Sequence, residues 1–424
     1  KATNAAVLPD FLTLVLFTQF GTKILTALGI IVGNSEITIS ALDDTLQELG
    51  TIPLYYQFQA ELIFLFGIIV FTFVWHLLEK KDILAVWSSP GNTATWGTYA
   101  ICLPIYLVLK SLNIKIGLSE ELLQLFAIGA MAVLLGGNGE YALGKQKSAF
   151  AIFALMPFMV LSMQSGMKGD VALAMLPVLL PVFRRMSPGR FAFLGCFFLF
   201  VVLFLFPFNM AWREANWQEK RGDDVGVVAS RVAASWEQRG FFDTAADSTA
   251  RWLSRGSSSE MGGLVMLIAE RDGLIGPVLI EGLTTVFVPR FLWPDKPNYA
   301  PGAWFSWYLG MAESPETATS STATMLQTEL YWMFGLPGVL IGMIIISFLY
   351  FKVWRFLVQA SVTRPLPAVA LFAMLARASG MEEIHTIYAL ASPIILLVYV
   401  MIFDRVQRVF FPGLNWNSPT PRSE

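Results

Sequence analysis

The chain of 424 residues is 55% hydrophobic, carries only 14% charged residues and has a formal net charge of −2. Soluble domains carry about 25% charged residues, so an ordinary soluble domain is excluded, and the lack of a basic stripe excludes nucleic acid as a partner. What fits is an all-α polytopic integral membrane protein, its spans marked by apolar runs of about 20 residues.

Ten transmembrane helices are predicted, over 9–33, 54–78, 95–113, 121–136, 148–164, 170–184, 190–209, 335–353, 366–381 and 387–403. The first apolar stretch, Phe11 to Val32, exceeds the 7–15 residues of a cleaved signal's core, so it reads as a span. Lys23 falls inside it, so either Glu61 of the next helix pairs with it or the span is shifted. The run 170–184 is short enough to be tilted or partly re-entrant. Cys102 and Cys196 both lie in apolar runs, which implies no disulfide framework.

Loops on one side of these spans carry Lys80, Lys81, Lys145, Lys147, Arg184, Arg185, Arg190, Lys352, Arg355 and Arg364, and the tail adds Arg405 and Arg408. Short loops on the other side hold only Lys110, Lys115, Lys168 and Arg377. The positive-inside rule then places both termini in the cytoplasm. Three regions follow: an N-terminal bundle over 1–209, a large external loop over 210–334, and the last helices with a cytoplasmic tail over 335–424.

The external loop holds 10 of the 29 basic and 15 of the 31 acidic residues, and eight of the ten basic ones are arginine. Arginine's planar fork matches phosphate bidentately, so these residues either build an anion site or pair with their acidic neighbours and lipid headgroups. Within the loop, "VGVVASRVAASWEQRG" and "STARWLSRG" read as short amphipathic helices stopped by Gly240 and Gly256. Arg251 and Arg255 would share a helical face. "SSSEMGGLVMLIAER" begins on a serine cap and ends at Glu270–Arg271–Asp272, and "GPVLIEGLTTVFV" is too short to span. "FVPRFLWPDKPNYAPGAWF", residues 287–305, holds four prolines beside Arg290, Asp295 and Lys296, and so reads as a stiff loop rather than a span.

Common chemical motifs are weak here. "GEYALGK" has phosphate-loop spacing but continues with Gln146 and lacks a βαβ setting, so it reads as coincidence. No G-x-S-x-G elbow occurs, and the only histidines are His76 and His385, which gives little for a serine-hydrolase triad. Asp223–Asp224 and Glu270-x-Asp272 read as solvated loop charge rather than metal ligands. Lys168 and Arg377 lie at membrane depth or its margin, where a charge is either functional or snorkels to the interface. Glu329, just before the predicted helix at 335, is either a general base for a sugar hydroxyl or an acid stabilised by a helix N-terminus.

"VPRFLWPDKP", followed about thirty residues later by "TELYWMFGLPGVLIGM", resembles the Wzy-type O-antigen and exopolysaccharide repeat-unit polymerases. A looser similarity covers "SGMKGDVALAMLPVLLPVF", where Lys168 stands in place of the family's usual arginine, and "MLARASGMEEI" with Arg377. The resemblance is strongest over 255–350, and residues 1–150 match only as generic membrane helices. It implies a GT-C-like helical bundle in the bacterial cytoplasmic membrane, with the large loop periplasmic. It further implies a metal-independent glycosyltransferase that needs no cofactor. Such an enzyme moves a growing glycan from undecaprenyl pyrophosphate onto a second lipid-linked repeat unit, beside a flippase and a chain-length regulator as partners. On this reading Arg290, Lys296, Arg271, Arg255, Lys168 and Arg377 face the leaving pyrophosphate. Glu329 is the first candidate base, followed by Asp272 and Asp295. Trp293, Tyr299 and Trp304 either stack on sugar rings or anchor at the interface. An O-antigen ligase needs the same outward pyrophosphate site and is the nearest alternative. A flippase of lipid-linked sugars comes after it, because its charge would be spread along a path through the helices.

Overall fold

A computed structural model describes residues 52–78, 92–111, 201–218, 223–254, 259–288, 301–310, 324–361 and 384–410, with short pieces and single positions elsewhere. Among the described residues every regular element is helical. Three helices are long and apolar enough to cross a membrane: α1 (Leu54–Leu78), α9 (Leu326–Ser361) and α10 (Thr386–Phe410). The predicted spans 9–33, 148–164 and 170–184 lie outside the described residues, as does most of 121–136 and 366–381. So do Lys23, and with it the pairing raised for Glu61.

Contacts group the described helices into two compact units. One holds α1, α6 (Ser259–Asp272), α7 (Leu283–Val286), α8 (Pro301–Tyr308), nearly all of α9 and the first part of α10. The other holds α2 (Asn92–Ser111), α3 (Phe206–Arg213), α4 (Val225–Arg239) and α5 (Phe241–Ser254). The loop predicted over 210–334 therefore contributes to both units.

In the second unit, α4 is the helix expected from the sequence, whereas α5 begins at Phe241, seven residues before the expected "STARWLSRG". Asp224 caps α4 by accepting from the Val227 amide at 2.9 Å, and Gly240 ends it with φ +91°, a conformation that favours glycine. The Thr244 hydroxyl ties the turn by donating to the Gly240 carbonyl at 2.9 Å. Phe208, Ala215 and Val228 form a small core against α3, which is flanked by π-helical turns at Val201–Leu205 and Glu214–Gln218.

The first unit positions the site. α1 coincides with the predicted second span and is apolar on every side. Phe58, Leu62, Phe66, Ile69 and Phe73 are exposed along one face while Phe64, Phe71 and Trp75 are buried on the other. A helix apolar all round belongs in lipid. Because lipid is as apolar as leucine, helices there associate through small residues that allow close approach. The glycines show this. A Cβ on Gly263 of α6 would stand 2.9 Å from the Gln57 amide nitrogen, and one on Gly262 would stand 2.9 Å from the Ala60 Cβ. α1 runs parallel to α9: the Ser347 hydroxyl donates to the Phe71 carbonyl at 2.8 Å, and Trp75 meets Phe351 edge-on at 5.3 Å.

The helix expected at 335–353 begins earlier and is broken. At Gly335 the backbone turns to φ +68°, ψ −161°, the left-handed region that glycine enters freely. Pro337 cannot donate to a preceding turn. A Cβ on Gly67 would lie 2.6 Å from the Gln327 Cγ and 3.4 Å from the Met343 Cγ. Sixteen residues of straight helix would hold those two positions about 24 Å apart, so the chain folds back between them. Likewise a Cβ on Gly338 would sit 2.5 Å from the Leu330 carbonyl oxygen, and one on Gly342 would sit 2.6 Å from a Leu330 methyl. Residues 326–334 are thus a short helix laid antiparallel along the start of the long one, and Gly338 and Gly342 form the groove that receives it.

Candidate functional site

The fold-back takes Glu329 away from the helix edge. It lies six residues before the turn at Gly335, about 9 Å down the hairpin, and is only 1% exposed. Its Oε1 accepts from the Thr324 hydroxyl and meets Nδ1 of His385. Its Oε2 accepts from the Thr386 amide at 2.8 Å and from the Thr386 hydroxyl at 2.9 Å. All four lone-pair positions of the carboxylate are therefore taken. Both readings raised from the sequence touch this residue, since it does sit at a helix N-terminus. That terminus belongs to α10, however, and not only to Glu329's own helix.

His385 is the N-cap residue of α10: its carbonyl accepts from the amides of Tyr388 at 2.9 Å and Ala389 at 3.0 Å. A cap side chain normally turns back onto the first amides of its helix. Here Glu329 does that from 57 residues away, and the imidazole turns towards the carboxylate. A carboxylate only accepts, so Nδ1 is the donor in this contact. Among the described residues Nε2 has no hydrogen-bond partner, and the side chain is 9% exposed.

Nearer the turn of the hairpin lies a second arrangement. The Arg271 guanidinium donates to Asp272 through Nε at 2.6 Å and NH2 at 2.7 Å, and the Tyr308 hydroxyl donates to the same carboxylate at 3.0 Å. A cleft of about 330 Å³ opens beside them, lined also by Ile268, Trp307, Leu309 and Gly310. The Arg271 hydrogen bonds hold the Asp272 carboxyl below its ordinary range despite partial burial. Burial, then the Asp272 hydrogen bond, pushes the Tyr308 phenol up to about 12. Trp332 on the short helix fixes this floor. It meets Tyr308 edge-on at 5.1 Å, Trp304 at 5.8 Å and Phe305 at 5.7 Å, and its carbonyl accepts from the Ile275 amide at 3.0 Å.

The residues singled out from the sequence fall as follows. Glu329, Asp272 and Arg271 belong to these two arrangements. Arg271 has one edge of its fork committed to its neighbouring carboxylate. Trp304 stacks on Tyr308 at 5.3 Å within the aromatic floor. Trp293 is 40% exposed, and Asp295 is exposed. Arg290, Lys296, Arg255, Lys168, Arg377 and Tyr299 lie outside the described residues. His385, Thr324, Thr386 and Tyr308 were not singled out as site residues by sequence reasoning. No local spacing links positions 329 and 385, and the one available signal was that His385 is one of only two histidines. Among the described residues no three His, Cys, Asp or Glu side chains converge as metal ligands. Comparison with protein families, curated proteins and solved structures yields no match.

Proposed function

We propose that the chain is a membrane-embedded glycosyltransferase of the repeat-unit polymerase type. It transfers a growing glycan from polyprenyl pyrophosphate to the sugar hydroxyl of a second lipid-linked repeat unit on the outer face of the bacterial cytoplasmic membrane. The observation that carries this reading is the fold-back of 326–334. It buries a carboxylate–imidazole pair, a proton-transfer chemistry, at the short helix whose Trp332 packs against Tyr308 of the Arg271–Asp272–Tyr308 cleft. A re-entrant segment at membrane depth is tolerated only where protein or a water-filled cavity surrounds it, which suits a site for a reacting lipid headgroup.

The parallel course of α1 and α9 supports the ten-span reading. Two parallel spans are separated by an odd number of further crossings, as the second and eighth of the predicted helices are. In this scheme Arg290, Lys296, Arg255, Lys168 and Arg377 stabilise the charge that develops on pyrophosphate as the sugar–phosphate bond breaks. On this reading, the four prolines within 287–305 would lower the ordering cost of a site at Arg290. Neither a metal nor a cofactor is required.

The test is elongation by purified protein of lipid-linked repeat units isolated from the organism that encodes it. A product ladder that persists in EDTA and disappears in Arg290→Ala is expected. Transfer of one intact glycan to lipid A core would make the protein a ligase instead, and no transfer to either acceptor would end the glycosyltransferase reading.

A further inference from the structure

We propose that His385, held by Glu329, takes the proton from the acceptor hydroxyl. This rests on the glycosyl-transfer reading above and names the residue that performs its proton step. Glu329 cannot take that proton directly, because each of its oxygens already accepts two hydrogen bonds. His385 has the complementary arrangement. Nδ1 is anchored to a buried carboxylate, while Nε2 has no partner among the described residues. A carboxylate behind an imidazole holds the tautomer that presents a basic nitrogen, and stabilises the imidazolium once the proton arrives.

The cap of α10 and the imidazole use different oxygens of the Glu329 carboxylate. Capping α10 uses Oε2 and the Thr386 amide and hydroxyl, and asks nothing of an imidazole. Oε1 meets the ring and also accepts from the Thr324 hydroxyl, just before the short helix. Glu329 is therefore a positioning residue, and His385 the catalytic one.

The step balances without a co-reactant. The acceptor O–H bond breaks and its proton goes to Nε2 of His385. The oxygen's electron pair forms the bond to the donor's anomeric carbon. The bond from that carbon to the pyrophosphate oxygen breaks, and its electron pair leaves with the polyprenyl pyrophosphate. His385 then returns the proton to water or to the released pyrophosphate.

His385→Asn separates the two roles, since its amide N–H can still donate to Glu329 while offering no basic nitrogen. Donor binding and thermal unfolding close to wild type are expected, with elongation reduced at least about 100-fold. Glu329→Gln should lower kcat while leaving KM for the acceptor unchanged. Because the chain has only two histidines, nitrogen-15 spectra of the imidazoles report the tautomer without any substrate. His385 should show a protonated Nδ1, and that signature should change in Glu329→Gln. Elongation by His385→Asn within tenfold of wild type would overturn the proposal and leave the polymerase reading standing. Should that variant not fold, the tautomer decides: a wild-type His385 protonated on Nε2 overturns the proposal. A wild-type protein that extends no lipid-linked glycan takes down the polymerase reading, and this proposal with it.

Discussion

Glu329 and Asp272 are carboxylates of the same compact unit, yet their surroundings oppose each other. Asp272 is 31% exposed at its side chain and is met by its own chain neighbour Arg271 and by Tyr308. Glu329 is sealed from solvent and is met by Thr324, His385 and Thr386, two of them from another helix. The first is a surface pair that water screens. The second joins two helix starts, and each of its partners would be stranded in the interior without it. Sequence proximity thus says little about which contact matters: the pair adjacent in the chain is the weaker, and the pair 56 residues apart is the one the local fold depends on.

The sharpest way to break that contrast is alanine at both positions. Glu329→Ala leaves the Thr386 amide and the His385 Nδ1 buried without partners, at 1–3 kcal/mol for each stranded group, so a loss of roughly 3 kcal/mol or more is expected. Asp272→Ala should cost at most about 1 kcal/mol, as exposed ion pairs do. Thermal unfolding in nanodiscs compares them, and equal losses would abolish the distinction.

The hairpin that creates the buried site comes next. Gly338→Ala puts a methyl 2.5 Å from the Leu330 carbonyl oxygen, and should cost about 1–3 kcal/mol by prising the short helix from its groove. Gly335→Ala, forced to keep φ +68°, should cost about 1–2 kcal/mol. Both should also weaken the Glu329–His385 contact, visible as a change in the His385 imidazole resonance. If either leaves that resonance unmoved, the fold-back does not position the dyad.

The smallest effects belong to the exposed pair and are read by pH. Tyr308 ionises near 12 instead of 10, so its hydrogen bond to Asp272 contributes below pH 10 and is lost as pH rises towards 12. Asp272 ionises below its ordinary 3.8, so its contacts persist through mildly acid pH and fail only as pH falls past that range. Asp272→Asn should bring the Tyr308 phenol back towards 10 in a phenolate absorbance titration. A phenol that stays near 12 would assign its shift to burial alone.

The sequence by itself determined the membrane class, the limits of α1, the start of α10 and the α4 helix with its stop at Gly240. These follow from local physics: apolar runs of bilayer length and a glycine free to adopt positive φ. It also singled out Glu329 as a carboxylate at a membrane edge, while Arg271 and Asp272 entered as site residues only through the family resemblance.

Only the tertiary structure decided what those charges touch. Hydropathy shows where a helix starts but not that 326–334 folds back, since that direction depends on Gly338 and Gly342 opening a groove and on Gly67 accepting Gln327. With Glu329 carried inward, its partners became His385 and Thr386, a meeting that no periodicity in the chain announces. Local propensities act over one or two turns, whereas the chemistry of this site depends on which helix ends the packing brings together.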